Sequence, residues 1–329
     1  MRALVCKEYG TPETLSIEDW DDPVPGDGEI VFDVKAAGLN FADVLMVAGQ
    51  YQVKTAPPFI PGNEAAGVVT AIGTNVARFK VGDSIIGALR GGAFAEQSVV
   101  AENSAIPLPK ALDFRQGAAY SIAYGTSFHG LVQGADLKPG ETVLVLGAAG
   151  GVGYAAVDIA RSMGARVIAA ASSDEKLAFA REAGADATIN YAQESLKDAV
   201  KALTDGKGVD VVYDPVGGDL AEQALRACAW HARYLVVGFA SGDIPSLPLN
   251  LALLKEASII GVWYGTWAAK HPDEFVSNVL AMERLVDAGE LQPRCSEAFP
   301  LEEFADAFRV ITERRALGKI VLEPVAIPA

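Results

Sequence analysis

From residue 141 to residue 239, short apolar runs and amphipathic segments alternate without a break. "ETVLVLG" (141–147) reads as a buried strand and "GVGYAAVDIARSMG" (151–164) as a helix ending at glycine. "ARVIAAAS", "ATIN", "GVDVVYD" and "ARYLVVGF" read as further strands. "SDEKLAFAREAGA", "AQESLKDAVKALTDG" and "GDLAEQALRAC" are the helices between them. Such alternation requires right-handed crossovers and a parallel sheet covered by helices on both faces. The fold class is therefore α/β, with a doubly wound parallel sheet that the change of texture places at 125–261.

The first turn of this run, in "VLVLGAAGGVGYAAVDIA" (143–160), is rich in glycine. A dinucleotide fingerprint needs a tight turn, bare backbone beside the pyrophosphate, and a close helix–strand contact. Ala148, Gly150 and Gly153 fall at those three spacings, with alanine replacing the first glycine. The backbone of Ala149, Gly150, Gly151 and Val152 would then present N–H groups and the positive end of a helix dipole to phosphate. An NAD enzyme usually places a carboxylate about 20 residues further on. Here "AAASSDEK" ends the next strand with Ala171, Ser172 and Ser173, and Lys176 follows one turn into the helix. Hydroxyls and an ammonium suit a 2′-phosphate, so NADPH is expected over NADH. The competing reading makes Lys176 a solvated helix residue and Ser173 only an N-cap.

The first third of the chain is β-rich. "EIVFDVKAAG" (29–38) alternates apolar and polar residues, and "GVVTAIG", "DSIIGAL" and "AFAEQSVV" are shorter strand candidates. A helix is expected from about Asn40 through "FADVLMVAG". After residue 260, two amphipathic helices, "PDEFVSNVLAMERLVDAGEL" and "LEEFADAFRVITERR", precede a last strand, "GKIVLEP". This tail is expected to return to the first domain, giving 1–124 and 262–329 as one domain and 125–261 as the other. The alternative is that it extends the sheet domain.

A length of 329 residues, half of them hydrophobic, supports two cores. The formal net charge of −15 argues against nucleic acid or an anionic membrane as the main partner. Three dispersed cysteines, Cys6, Cys228 and Cys295, form no CxxC and suggest neither a disulfide framework nor a cysteine zinc site. No signal-peptide or transmembrane run is evident, so a soluble, cytoplasmic protein is expected.

In the β-rich domain the polar candidates for chemistry are Asn40, Asp43, Tyr51, Asn63 and Glu64. Asn63 and Glu64, in "PGNEAAG", read equally as a metal site, a catalytic pair or satisfied polar groups. The ordered set "AAGLNFADVLMVAGQY", "PGNEAAGVV", "VGD", "AYGTSFHGL", "GAAGGVG" and "GKIVLEP" resembles the medium-chain dehydrogenases/reductases over essentially the whole chain. It is most similar to their zinc-free NADPH:quinone oxidoreductase branch. The resemblance implies a Rossmann domain and a β-rich GroES-like catalytic domain, with the cofactor held between them. Zinc-dependent relatives place a cysteine where this chain has Asn40 and a histidine where it has Asn63, with a third ligand at Ile122. An amide is a poor zinc ligand and isoleucine is none. The short "ALRGGAFAEQ" stands in place of a structural-zinc loop, and His129, His231 and His271 are too scattered to rebuild a site. No metal is therefore expected, and Glu64 becomes a hydrogen-bonded wall carboxylate.

The resemblance implies hydride transfer to an acceptor that spreads charge by conjugation, a quinone or enone. The alternatives are an enoyl-CoA reductase and an NADPH-binding structural or regulatory protein. It implies that Asn40 lies beside the nicotinamide and that Tyr51 is a catalytic or substrate-lining phenol, with Asp43 a structural acid. Thr126 would lie near the nicotinamide or phosphates, Lys176 and Tyr191 would bracket the 2′-phosphate together with Ser172, and Gly238, Phe239 and Ser241 would form the loop beneath the nicotinamide. Lys319 would approach the cofactor. Phe59, Ile60, Trp263, Tyr264 and Trp267 would shape the substrate pocket. A homodimer is implied, with "NLALLKEASIIGVWYG" (250–265) either its edge or an ordinary core strand. His231-Ala232 stands where many relatives have two glycines.

Overall fold

Eleven residues from Glu29 to Leu39 form the longest strand, and its apolar side chains are almost all buried. Around it the computed structural model, which describes residues 1–324, builds the first of two units. Contacts place Met1–Ile122 and the chain from Pro293 in this unit, and Ala123–Gln292 in the second.

The first unit begins with an antiparallel pair, β1 (Arg2–Val5) and β2 (Ser16–Asp19). It continues with β3 (Glu29–Leu39), α1 (Phe41–Val47), β4 (Glu64–Ile72), β5 (Ser84–Ala88), β6 (Gln97–Ala101), β7 (Ala105–Pro107) and α2 (Phe114–Ala118). The second unit follows, starting within α3 (Ser121–His129). Its sheet strands are β8 (Thr142–Leu146), β9 (Arg166–Ala171), β10 (Ala187–Asn190), β11 (Val209–Asp214), β12 (Cys228–Val236) and β13 (Ser258–Gly261). Between them lie α4 (Gly151–Ser162), α5 (Asp174–Glu182), α6 (Leu196–Leu203), α7 (Asp219–Ala227) and α8 (Asn250–Lys255). After β13 come α9 (Tyr264–Lys270) and α10 (Pro272–Asp287). The chain then completes the first unit with β14 (Cys295–Pro300), α11 (Phe304–Thr312) and β15 (Lys319–Glu323).

The second unit carries six parallel strands in the order β10-β9-β8-β11-β12-β13. That is the order of a doubly wound dinucleotide-binding sheet, which reverses direction beside its first strand, here β8. The seven-stranded sheet of the first unit runs β14-β15-β3-β4-β5-β7, with β6 also paired to β3. All its described pairings are antiparallel except β14 with β15. The α/β class, the Rossmann sheet and the β-rich GroES-like unit are all present.

The boundary of the return differs from expectation. Residues 262–292 pack with the parallel-sheet unit, and the crossing falls at Gln292/Pro293. Side-chain chemistry on the two helices explains this. The Asn278 and Gln133 amides bond each other at 2.9 and 3.1 Å, and Trp267 stacks on His129 with centroids 4.0 Å apart. The backbone N–H of Gln292 donates to buried Asp158 at 2.7 Å. Amphipathic periodicity shows that these helices need a partner and does not say which sheet supplies it.

The 250–265 stretch divides into α8 and β13, and β13 is an edge strand. Leu253, Leu254, Ile259 and Trp263 on this stretch are exposed. His231 takes a left-handed φ of 59° where the β11–β12 register shifts, and its ring lies 2.9 Å from the Glu256 carboxylate. Glycine would meet no Cβ penalty there, whereas an L-residue costs about 1–2 kcal/mol. Among the described residues no helix is long and apolar enough to cross a membrane.

Candidate active site

Strand register assembles the polar cluster of the first unit. β3 pairs with β15 so that Leu39 faces Ile320, and with β4 so that Ala37 faces Ala65. Asn40, at the end of β3, is thereby flanked by Lys319 on one side and Glu64 on the other. The Lys319 ammonium lies 2.5 Å from Glu64 Oε1 and donates to Asn40 Oδ1 at 2.7 Å and to the Leu39 carbonyl at 3.2 Å. Glu64 Oε1 also accepts from Asn40 Nδ2 at 3.0 Å. Its other oxygen accepts from Ser121 Oγ and the Ile122 backbone N–H, both at 2.9 Å. Glu64 is fully buried and Lys319 is 5% exposed. This carboxylate fits only because residue 38 is glycine: a Cβ there would lie 2.7 Å from Glu64 Oε1 and 2.2 Å from the Ala118 carbonyl.

The second carboxylate is Asp43, one turn into α1 and fully buried. It accepts from the Asn40 backbone N–H at 2.8 Å and from Asn63 Nδ2 at 2.6 Å. Burial raises its pKa to about 7, against the pull of the Asn40 N–H and the Lys319 charge. The folded pKa lies above the unfolded value, so the folded state holds this proton more tightly. Stability is then lost as pH rises from about 4 to about 7. Between pH 5 and pH 8, wild type should lose about 2–3 kcal/mol relative to Asp43→Asn, read from urea midpoints at each pH. Parallel curves for the two proteins would show that Asp43 does not titrate in this window.

Tyr51 packs half-buried against the core of this unit, and its hydroxyl makes no hydrogen bond among the described residues. Burial, then the nearby Asp43 charge, raises its pKa, so at neutral pH it is a hydrogen-bond donor. Phe59 lies in the core of this unit, with Ile60 packed partly buried beside it.

The second unit holds the glycine-rich turn, a candidate phosphate cradle. Gly147 turns at φ 56° after β8, and Gly150 caps α4. A Cβ on Gly153 would fall 2.2 Å from the Gly147 carbonyl, so only glycine lets α4 approach β8. The N–H groups of Gly151 and Val152 lie in the first turn of α4, where a helix supplies them no acceptor. Ser127, beside Thr126 on α3, donates to the Val152 carbonyl at 2.9 Å and shares a 2.8 Å contact with the Tyr213 hydroxyl, tying α3 to the cradle. At the ends of β9 and β10, Lys176 Nζ donates to Ser172 Oγ at 3.2 Å, and the Tyr191 N–H donates to the Ala171 carbonyl at 3.1 Å. Ser172, Lys176 and Tyr191 are thus brought together. Ser173 does cap α5, accepting from the Lys176 N–H at 3.3 Å.

Gly238, Phe239 and Ser241 follow β12 in a loop held by bonds from Gly238 to the Asp214 carbonyl and from Ser241 to the Val216 carbonyl. Buried Asp214 braces the neighbouring turn after β11, accepting from the Val216 and Gly217 N–H groups at 2.8 Å and from the Tyr234 hydroxyl at 2.5 Å. Tyr264 and Trp267 join His129 in a ring cluster. The residues missed from sequence are Ser127, Tyr213, Asp214 and Tyr234. "VVYD" carried two of them, but an apolar strand pattern gives no sign of which hydroxyls meet.

All three Lys319 ammonium protons are directed at Glu64, Asn40 and Leu39.

Profile matches cover 26–110, described as an alcohol dehydrogenase GroES-like domain, and 151–281, described as a zinc-binding dehydrogenase. Zinc does not fit the cluster: Asn40 is bonded to Lys319 and Glu64, Asn63 to Asp43, and an ammonium sits among the carboxylates. Among the described residues no group of three or more His, Cys, Asp or Glu converges. The "quinone oxidoreductase-like protein 2 homolog" of Nematostella vectensis is 40% identical, over 98% of this chain and 88% of its own. The Escherichia coli quinone oxidoreductase complexed with NADPH is 29% identical at TM-score 0.91, covering 98% of this chain and all of that one (100%). The CurK enoyl reductase is 27% identical at TM-score 0.89, covering 98% of each chain. Identity over nearly the full length, both domain matches and the shared fold agree that this chain belongs to the quinone oxidoreductase-like branch of the medium-chain dehydrogenase/reductase superfamily.

Proposed function

We propose that this chain is an NADPH-dependent reductase of quinones and conjugated enones. The observation that carries the reading is the first-unit cluster, in which a lysine ammonium and two amides occupy the carboxylates and leave no ligand set for a Lewis-acid cation. An isolated carbonyl would lack a strong polarising group there, whereas a conjugated acceptor spreads the developing charge itself. A nicotinamide bound there would supply the hydride. Tyr51, protonated and with its hydroxyl free among the described residues, donates a hydrogen bond to the oxygen that gains charge. Replacing Tyr51 by Phe should lower kcat by about 10²-fold with NADPH affinity unchanged, and an unchanged kcat would leave Tyr51 as pocket lining only.

In the second unit, Ser172, Lys176 and Tyr191 take the 2′-phosphate, while the cradle at Ala149–Val152 takes the pyrophosphate. Lys176→Ala should weaken NADPH binding by about 10–100-fold, the loss of one charge-assisted hydrogen bond, with little effect on NADH. Equal weakening of both, measured by fluorescence titration, would remove Lys176 from that pocket.

Likeness to an enoyl reductase supports a second reading, reduction of enoyl thioesters. NADPH oxidation measured with a naphthoquinone, an enone and crotonyl-CoA separates the two by relative kcat/KM. Tight NADPH binding without turnover on any of the three would point to a binding protein and overturn both.

A further inference from the structure

Asn40 is the site amide, yet nearly all its hydrogen-bonding capacity is spent inside the first unit. Its Nδ2 protons go to Glu64 Oε1 at 3.0 Å and to the Gly38 carbonyl at 3.3 Å, and its Oδ1 accepts from Lys319 at 2.7 Å. A carboxamide has two donors, and both are thus engaged within this unit. Asn40 therefore has no N–H left to offer a ligand. The partners on either side enforce this polarity. Lys319 has only donors and faces Oδ1, while Glu64 is an acceptor and faces Nδ2. A flipped amide would set donor against donor and acceptor against acceptor. Glu64 is in turn fixed on its far side by Ser121 and the Ile122 N–H.

We propose that Lys319 is a positioning residue: paired with Glu64, it locks the Asn40 carboxamide in one orientation, and it acts on the reaction through Asn40 rather than by touching the cofactor. Its effect on turnover rests on the expectation that Asn40 lies beside the nicotinamide of the proposed reductase, whereas the locking itself does not. Lys319 is 5% exposed and its ammonium is saturated. The register of β15 against β3 places it beside Asn40.

Lys319→Met alone strands a buried carboxylate and risks unfolding, so the informative protein is Glu64→Gln/Lys319→Met, which removes both charges at similar volume. The first readout is the Asn40 side-chain NH₂ signal in ¹⁵N-labelled protein. Wild type should show two resolved protons in slow exchange with solvent, and the double variant faster exchange by about tenfold or more. Equal protection in the two proteins overturns the proposal. The second readout is kinetic. The double variant should keep its NADPH Kd within about twofold of wild type while kcat falls about tenfold, and adding it to Asn40→Ala should give no further loss. A salt-dependent loss of NADPH affinity with kcat retained would place Lys319 on a phosphate and overturn the proposal. If Asn40→Ala itself leaves kcat unchanged, the functional reading of Asn40 fails, and the exchange measurement still decides whether Lys319 locks the amide.

Discussion

Glu64→Gln should destabilise the first unit by about 3–5 kcal/mol, measured as a shift in urea midpoint. The substitution barely changes shape, so the effect is electrostatic. Glu64 receives four hydrogen bonds, two on each oxygen, from Lys319, Asn40, Ser121 and the Ile122 N–H. Every one of these partners approaches as a donor. A glutamine has to aim its NH₂ at one pair of them, and it leaves the buried Lys319 ammonium without its directly paired carboxylate. Removing one member of a buried pair costs far more than removing both. Lys319→Met added to Glu64→Gln should therefore restore most of the lost stability. A loss below about 1 kcal/mol for Glu64→Gln alone would mean that the pair behaves like an exposed ion pair.

Gly153→Ala should lower both stability and NADPH affinity. The added Cβ would meet the Gly147 carbonyl at 2.2 Å and the Ala148 Cα at 3.0 Å. Both are backbone atoms at the start of the cradle, so neither can swing aside. Relief requires α4 to move off β8, which costs about 1–3 kcal/mol as overpacking does. The same movement would turn the first-turn N–H groups away from the pyrophosphate proposed to bind there. Losing one or two such hydrogen bonds should weaken NADPH by about 10–100-fold. Gly150→Ala is the control, since its Cβ would find its nearest neighbour at 3.4 Å and its φ is −80°. It should keep wild-type stability while still crowding the pyrophosphate. Equal stability of the Gly153→Ala protein and wild type, by thermal melting, would show that α4 does not depend on this contact.

Local pattern carried the Rossmann unit almost completely. Strand and helix periods differ, glycine marks the tight turn, and hydroxyl and lysine replace the carboxylate at the end of β9, all within 141–191. These are short-range facts, set by backbone sterics and by spacing along one element, so one sequence displays them. The same is true of Asn40, Asn63 and Ile122, whose residue types already argued against a zinc site. Only tertiary structure decided what fills that place instead. Lys319 reaches Asn40 across 279 positions of sequence, and it does so because β15 returns beside β3. The return at Pro293, the edge position of β13 and the meeting of Ser127 with Tyr213 depend in the same way on pairings between distant elements. The sequence by itself therefore determined the glycine-rich turn between β8 and α4 and which residue types the β-rich unit lacks. The tertiary structure decided that a buried ammonium balances the carboxylates there, because a charge finds its partner through strand register and burial, which no local period encodes.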